Sequence, residues 1–231
     1  PFASPNQIDT KLQSFLDEAS SRLCKWIGEA DSRGPLPNND QSLEISPRIS
    51  GLTSNELLED LQFIMDGAYQ PSHPGALAHF DPPPLTASIA ADLICAGMNN
   101  NLLAEELSPN LSQLEQKLCK WFATKIGFNK AAGGVAASGG SLSNLMALVI
   151  ARKEANLQND PDAVFFASKE SHVSLDKAIR VMGLNKDSLR KIDTNNHGQI
   201  LIESLNENLL KIKREGRKCF AIVATAGTTV R

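Results

Sequence analysis

ASGGSLSNLMAL, residues 137–148, is a turn of small residues that leads directly into an apolar helix. The first N–H groups of a helix have no intrahelical acceptor, and the helix dipole places partial positive charge there, so such a turn suits a phosphate group. Gly139 and Gly140 let the backbone approach an anion closely, while Ser141 adds a hydroxyl donor and is the predicted N-cap. The stretch therefore predicts an anion site at the start of a helix.

The composition is that of an ordinary globular protein. Of its 231 residues, 42% are hydrophobic and 21% are charged, and the formal net charge is −3. No apolar run reaches the roughly 18 residues of a membrane span. The basic residues between positions 211 and 218 indicate a solvated helix end rather than a nucleic-acid patch. These features predict neither a membrane partner nor a nucleic-acid partner.

The cysteines and histidines show no spacing that is typical of a metal site. Four cysteines occur without a CxxC pair, and the four histidines are scattered. Buried, reduced thiols in a cytoplasmic protein explain this pattern better than a disulfide or a metal centre. We therefore predict a cytoplasmic location and no bound metal.

The first hundred residues contain mostly helical patterns. Apolar residues at helical spacing predict a helix from about residue 10 to 30, and another is predicted to start at a Ser54 cap. Residues 31–53 are rich in proline, glycine and polar residues, which is typical of a linker or extended arm. A further helix of small and apolar residues is predicted over 87–98.

The loop at residues 70–84 is a candidate binding segment. Four prolines after His73 exclude a helix, and the loop also carries His79 and Phe80. Rigid loops of this kind often carry function because the scaffold positions them. A bare connector is the alternative.

From residue 108 onward, helices alternate with short apolar strands. Ser108 and Pro109 are predicted to start a helix that ends at Gly127. Strands are predicted at 163–167, 189–192 and 219–225, and helices at 140–156, 172–183 and 202–215. Continuous apolar strands separated by helices indicate a mostly parallel sheet with helices on both faces, an α/β fold.

Polar segments follow two of these strands where ligands bind in open parallel sheets. His172 comes shortly after the first strand, and the run from Thr225 to Thr229 follows the last. Together with the glycine turn before Ser141, they suggest one pocket that holds a phosphate-bearing ligand.

Six motifs occur in the order of a known family. They are His73-Pro74; Asn99-x-Asn101; Glu106-Leu107-Ser108-Pro109 with Leu114-Glu115; Ser138-Gly139-Gly140-Ser141-x-Ser143-Asn144; Ser171-His172-x-Ser174 with Lys177-Ala178; and Ala224-Thr225-Ala226-Gly227-Thr228-Thr229. In these motifs the chain resembles the group II pyridoxal-phosphate-dependent amino-acid decarboxylases, which include enzymes for glutamate, cysteine sulfinate, 2,4-diaminobutyrate and aromatic amino acids.

The resemblance implies a cofactor, pyridoxal 5′-phosphate, and a domain plan. Residues 1–70 would form an N-terminal helical segment and arm, and residues 71–231 the first part of a fold-type I large domain. Gly140 and Ser141 would bind the cofactor phosphate. His172 would stack on the pyridine ring as the catalytic residue, with Thr229 and Thr225 nearby.

The resemblance also implies substrate contacts. His73, His79 and Phe80 would line the substrate pocket. Asn101 and Leu103 would lie near the interface of a homodimer and help complete the neighbouring pocket.

The reaction implied is decarboxylation of an L-amino acid to its amine and carbon dioxide. The Asn99-x-Asn101 pattern and the Gly-Gly-Ser turn are more like the acidic and diaminobutyrate branches, and Leu103 stands where the aromatic branch tends to place a ring. A non-aromatic substrate is therefore expected. Oxidative deamination, another fold-type I enzyme (an aminotransferase or a lyase) and a non-catalytic fragment are the alternatives.

The part of the family site that holds the cofactor's aldehyde and ring nitrogen is not in this sequence. In the family, these groups lie after the Gly-Thr-Thr turn in His-x-Asp-Ala and His-Lys motifs, and neither motif occurs here. An apolar final strand without a neighbour would also leave the sheet incomplete. We therefore expect the remaining C-terminal part of the same protein as a partner, and we expect this chain alone to be inactive.

Overall fold

A computed structural model describes residues 3–37, 46, 48–77 and 81–228. The chain divides into two compact units, Pro1–Asn101 and Leu102–Arg231. Both units are described separately below. The domain boundary expected near residue 70 stays a prediction.

The first unit is helical in its described part. Its helices are α1 (Thr10–Gly28), α2 (Ala30–Arg33), α3 (Ser54–Asp66) and α4 (Thr86–Met98). The predicted Ser54 cap is wrong by one residue, because Thr53 is the N-cap and forms a reciprocal capping box with Glu56. On α1, Arg22 donates to the Leu58 carbonyl of α3 over 3.2 Å, which ties the two helices together.

The second unit alternates helices and strands. After a short 3-10 turn at Glu105–Leu107 come α5 (Pro109–Lys125), α6 (Gly140–Glu154), β1 (Val164–Ser168), α7 (Ser174–Val181), β2 (Leu189–Ile192), α8 (Ile202–Arg214) and β3 (Cys219–Val223). The strands form one parallel sheet in the order β2-β1-β3. The predicted α/β fold with a parallel sheet is confirmed.

The central strand β1 is buried at every position. Successive side chains of a strand point to opposite faces, and here each face has its own cluster. Phe165 and Ala167 pack with residues of α6 and α7, whereas Val164 and Phe166 pack with Ile212 of α8 and its neighbours. Helices on both faces explain why the strand sequence is continuously apolar.

Arg152, near the end of α6, is a buried cation that holds three backbone carbonyls. Only 7% of the residue is exposed. Its guanidinium donates to the carbonyl of Leu157 over 2.8 Å, that of Met182 over 2.8 Å and that of Asp160 over 2.7 Å. These bonds tie the end of α6 to the loop before β1 and to the end of α7.

Replacing Arg152 by Met is expected to lower the free energy of unfolding by about 3 kcal/mol, because it leaves buried carbonyls without donors. The control is Arg180→Met on an exposed position of α7, for which a change within about 0.5 kcal/mol is expected. Urea denaturation of the protein and both variants measures this difference. Equal midpoints for the two variants would contradict the assigned role of Arg152.

The prediction of buried thiols is wrong. All four cysteines are free, but Cys24 and Cys95 are exposed, while Cys119 and Cys219 are partly buried. Cys24 lies on α1 and Cys95 on α4. Burial raises the pKa of the Cys219 thiol, which therefore stays protonated near neutral pH.

Two further observations concern the described ranges as a whole. None of the helices there combines the length and the apolar character that crossing a bilayer requires. Nor do the described residues gather three or more His, Cys, Asp or Glu side chains in a way that could hold a metal ion.

Candidate functional site

The start of α6 lies toward the carboxyl edge of the parallel sheet. Helix α6 packs on α7 and β3, and it ends ten residues before β1 begins. Since the chain enters β1 at the amino edge of the sheet, the beginning of α6 points to the opposite edge. This is the edge at which parallel sheets bind ligands.

The first turn of α6 presents unpaired backbone donors. Its N-cap is Gly139 in an extended conformation, and the Gly139 carbonyl accepts the N–H groups of Leu142 and Ser143 over 3.1 Å each. In the described part of the chain, no acceptor faces the N–H of Gly140 or Ser141. A Cβ added at Gly139 or Gly140 would meet nothing within 4 Å, so the space in front of the turn is open.

Ser141 is not the N-cap that the sequence predicts. It is the second residue of α6, and its exposed hydroxyl makes no hydrogen bond within the described ranges. The cap is Gly139, which has no side chain that could accept the early N–H groups. The hydroxyl of Ser141 is consequently available to an anion beside the two free N–H groups.

Glu115 of α5 anchors the segment that enters this turn. Its carboxylate accepts the N–H of Ala136 over 3.0 Å, three residues before the Gly139 cap. In addition, a Cβ at Gly134 would lie only 3.1 Å from the Cβ of Cys119, so glycine permits the segment to lie close against α5. The segment that precedes α6 is therefore held in place by contacts with α5.

His172 is joined to α6 by two hydrogen bonds through one buried serine. Asn144, one turn into α6, donates from Nδ2 to the Ser174 hydroxyl oxygen over 2.9 Å. The same oxygen lies 2.9 Å from Nδ1 of His172, and the Ser174 N–H donates to that nitrogen over 3.1 Å. Ser174 is 2% exposed, whereas His172 is exposed. The imidazole is thus held by hydrogen bonds at Nδ1, while the residue itself is exposed.

The remaining predicted residues of the second unit are less constrained. Thr225 follows β3, two residues past its end, at the same carboxyl edge, and is exposed. Leu103 is 89% exposed. Thr229 lies outside the described residues.

In the first unit, a buried glutamine shapes the turn that carries His73. Gln70 is 2% exposed, donates to the Trp26 carbonyl over 3.0 Å and accepts the Ser72 N–H over 3.2 Å. Nδ1 of His73 accepts the N–H of Gly75 over 2.8 Å, which leaves Nε2 as the free end of the ring. The prediction that this segment is not helical is confirmed for residues 71–77. His79 and Phe80 lie outside the described residues, and Asn101 ends the first unit.

Three residues that shape the site carried no assigned role in the sequence analysis. Glu115, Asn144 and Ser174 all stand inside the quoted motifs. Their positions in the sequence could have indicated a role, because Asn144 lies one helical turn from Gly140 and Ser174 lies two residues from His172. The pairing of Asn144 with Ser174 and of Glu115 with Ala136 joins residues that are distant in sequence, and only the fold identifies it.

Comparisons with known proteins identify the family to which this chain belongs. A family profile described as the pyridoxal-dependent decarboxylase conserved domain matches residues 37–231. The chain belongs to the pyridoxal-dependent decarboxylase family. The predicted family is thereby confirmed.

Two curated relatives illustrate the range of the pyridoxal-dependent decarboxylases that the chain resembles. An aromatic-L-amino-acid decarboxylase of Bacillus atrophaeus is 34% identical over 158 residues, which are 68% of this chain and 33% of that protein. An L-2,4-diaminobutyrate decarboxylase of Acinetobacter baumannii is 25% identical over 240 residues, covering 94% of this chain and 47% of that protein. The chain therefore spans a third to a half of the length of these relatives.

A solved structure confirms the fold. It is the glutamate decarboxylase domain of a diaminobutyrate-pyruvate transaminase and L-2,4-diaminobutyrate decarboxylase from Vibrio parahaemolyticus, with a TM-score of 0.89 and 24% identity. The match covers 99% of this chain and 54% of that one. The chain thus has the fold of part of that domain, and its parallel sheet with flanking helices is consistent with a partial fold-type I domain.

The start of α6 fits the phosphate of pyridoxal phosphate, the cofactor of this family. Two free N–H groups, one free hydroxyl and an open space in front of two glycines provide donors without steric hindrance. His172 offers a flat exposed ring that the Asn144–Ser174 connection holds beside this helix. The donor set therefore suits the phosphate, and the imidazole suits the ring face.

Proposed function

We propose that the protein catalyses pyridoxal-phosphate-dependent decarboxylation of an L-amino acid, with release of the amine and carbon dioxide. The observation that supports this most strongly is a single hydrogen-bonded connection. It joins the phosphate-suited start of α6 to the His172 ring at the carboxyl edge of a parallel sheet.

In this proposal Gly140 and Ser141 bind the cofactor phosphate through backbone N–H groups and a hydroxyl. His172 lies on one face of the pyridine ring and has Nε2 available to hold a proton near the reacting carbon. Thr225, which follows the end of β3, and Thr229 would contact the cofactor. When bound, the cofactor withdraws electrons from the substrate's α-carbon, which is the chemistry that loss of carbon dioxide requires.

We propose a non-aromatic substrate, with L-2,4-diaminobutyrate, L-glutamate and L-cysteine sulfinate as the candidates. The Asn99-x-Asn101 pattern and Leu103 support this choice, since Leu103 offers no ring for stacking against an aromatic substrate. His73, His79 and Phe80 would contact the substrate, with Nε2 of His73 as the free polar end in the described turn.

The complete protein is proposed to be a homodimer in which the C-terminal part supplies the cofactor-binding lysine and the acidic partner of the ring nitrogen. Asn101 and Leu103 would then contribute at the subunit interface. A cytoplasmic location is supported by the four free cysteines, two of which are exposed.

Product analysis of the complete protein, including the C-terminal part, with pyridoxal phosphate tests this function, and all kinetic measurements proposed below use the same complete protein. Each of the three candidates and L-tryptophan is supplied separately, and carbon dioxide, amine, ammonia and keto acid are measured. We expect equal amounts of carbon dioxide and amine, with kcat/KM for the best non-aromatic substrate at least about 100-fold above that for L-tryptophan.

The other outcomes distinguish the alternatives. A preference for L-tryptophan would overturn the substrate class but leave decarboxylation intact. A keto acid without carbon dioxide would indicate an aminotransferase, and ammonia with oxygen consumption would indicate oxidative deamination. Failure to bind the cofactor would overturn the proposed function altogether.

A further inference from the structure

The hydrogen bonds behind His172 have a definite direction. A backbone N–H can only donate, and that of Ser174 lies 3.1 Å from Nδ1 of His172. Nδ1 is therefore an acceptor. In a neutral imidazole, the proton must then be on Nε2, at the opposite side of the ring.

The Ser174 hydroxyl reinforces this direction. Its oxygen accepts from Nδ2 of Asn144 over 2.9 Å and lies 2.9 Å from Nδ1 of His172. Because the backbone N–H makes Nδ1 an acceptor, the serine hydroxyl is the donor in this second pair. The opposite direction would require Nδ1 to donate to the serine oxygen, which the backbone N–H at the same nitrogen opposes.

We propose that Ser174, held by Asn144, is a positioning residue that fixes the His172 ring with its proton on Nε2. Because Ser174 is buried and His172 is exposed, the fixed Nε2–H faces outward from the carboxyl edge of the sheet. The connection also begins on α6, so the ring is set relative to the helix that would hold the cofactor phosphate. The catalytic part of this inference rests on the proposed function, whereas the proton position does not.

The test uses [15N]histidine labelling of the protein, with His172→Gln to assign the His172 signals. An unprotonated imidazole nitrogen resonates far downfield of a protonated one, so the spectrum reports the tautomer directly. In the unsubstituted protein we expect Nδ1 unprotonated and Nε2 protonated. A protonated Nδ1 would overturn the proposal.

Ser174→Ala keeps the backbone N–H but removes the hydroxyl donor, so both nitrogen signals should move part of the way toward the average of two exchanging tautomers. It should also lower kcat by about tenfold, as is typical when a group that orients a functional histidine is removed. KM and the cofactor Kd should change less than about twofold, since neither the substrate contacts nor the phosphate donors are altered. Ser174→Thr, which keeps the hydroxyl, should restore the spectrum and most of kcat.

Two further variants separate positioning from folding. Ser188→Ala removes an equally buried serine at the amino end of β2, with 0% exposure, and should leave the His172 signals and kcat unchanged. If Ser174→Ala does not fold, Asn144→Ala should produce a smaller tautomer shift in the same direction. Unchanged His172 signals in the folded Ser174 or Asn144 variant would contradict the proposal.

The two readouts also separate this inference from the proposed function. A tautomer shift in a protein that decarboxylates no amino acid would support the positioning role and overturn the function. Normal decarboxylation by the unsubstituted protein, together with unchanged His172 signals in Ser174→Ala, would support the function and overturn the positioning role.

Discussion

His172→Ala is expected to lower kcat for the proposed decarboxylation by about a thousandfold, within the range for loss of a positioned acid–base group. The substitution removes both the flat face that would contact the cofactor ring and the Nε2–H that the Ser174 connection directs outward. Steady-state kinetics with the preferred amino acid measures kcat, and a cofactor titration measures Kd.

His172→Phe is the matched variant. It keeps a flat ring and, like the alanine variant, loses the acceptor for the Ser174 N–H, so both variants lose the same local contact. We expect the phenylalanine variant to bind the cofactor within about threefold of the unsubstituted protein while kcat falls about 100-fold. His197→Ala, an exposed histidine elsewhere in the unit, should leave kcat unchanged. More than a tenth of kcat remaining in His172→Ala would contradict the role assigned to His172.

Gly140→Asp is expected to raise the Kd for pyridoxal phosphate by about 100-fold, because its carboxylate would add charge repulsion beside the phosphate-binding N–H groups. A Cβ at this position meets no other atom within 4 Å, so we expect the variant to fold. Gly140→Asn has nearly the same shape without the charge, and we expect its Kd to rise less than about tenfold. Equal Kd values for the two variants would show that the phosphate binds elsewhere.

Elements whose pattern arises from local packing could be predicted from the sequence. The predicted bounds of β2 are the observed ones, and those of β1 and α8 agree within one residue. A continuous apolar run marks the buried strand β1, and helical spacing of apolar residues marks α8. The parallel sheet followed from the alternation of apolar strands with helices. The apolar run of β3 is less buried than its pattern indicates, since Ile222 is half exposed.

Helix starts were less predictable, because different groups can satisfy the same backbone donors. At α6 the sequence suggests a serine cap, but the cap is Gly139 without a side-chain capping bond, and Ser141 is the second helical residue. At α7 the helix begins two residues later than predicted, and the His172 ring nitrogen accepts the N–H of its first residue, Ser174. In both cases the departure from the local rule occurs within the candidate site.

The site itself depends on contacts that sequence spacing cannot reveal. The resemblance indicates Gly140, Ser141 and His172 one by one, but the Asn144–Ser174 bond spans 30 residues. Likewise, the Glu115–Ala136 bond spans 21 residues. Such pairs are determined by the packing of α5, α6 and α7 in three dimensions, and their geometry explains how separate motifs form one site.

A crystal structure of the protein bound to pyridoxal phosphate is the most direct test of the central claim, that the start of α6 and His172 form one cofactor site. We expect phosphate oxygens at about 2.7–3.2 Å from the backbone nitrogens of Gly140 and Ser141. We also expect the His172 imidazole to lie against a face of the pyridine ring. A phosphate bound away from α6, or a ring face covered by a residue other than His172, would contradict it.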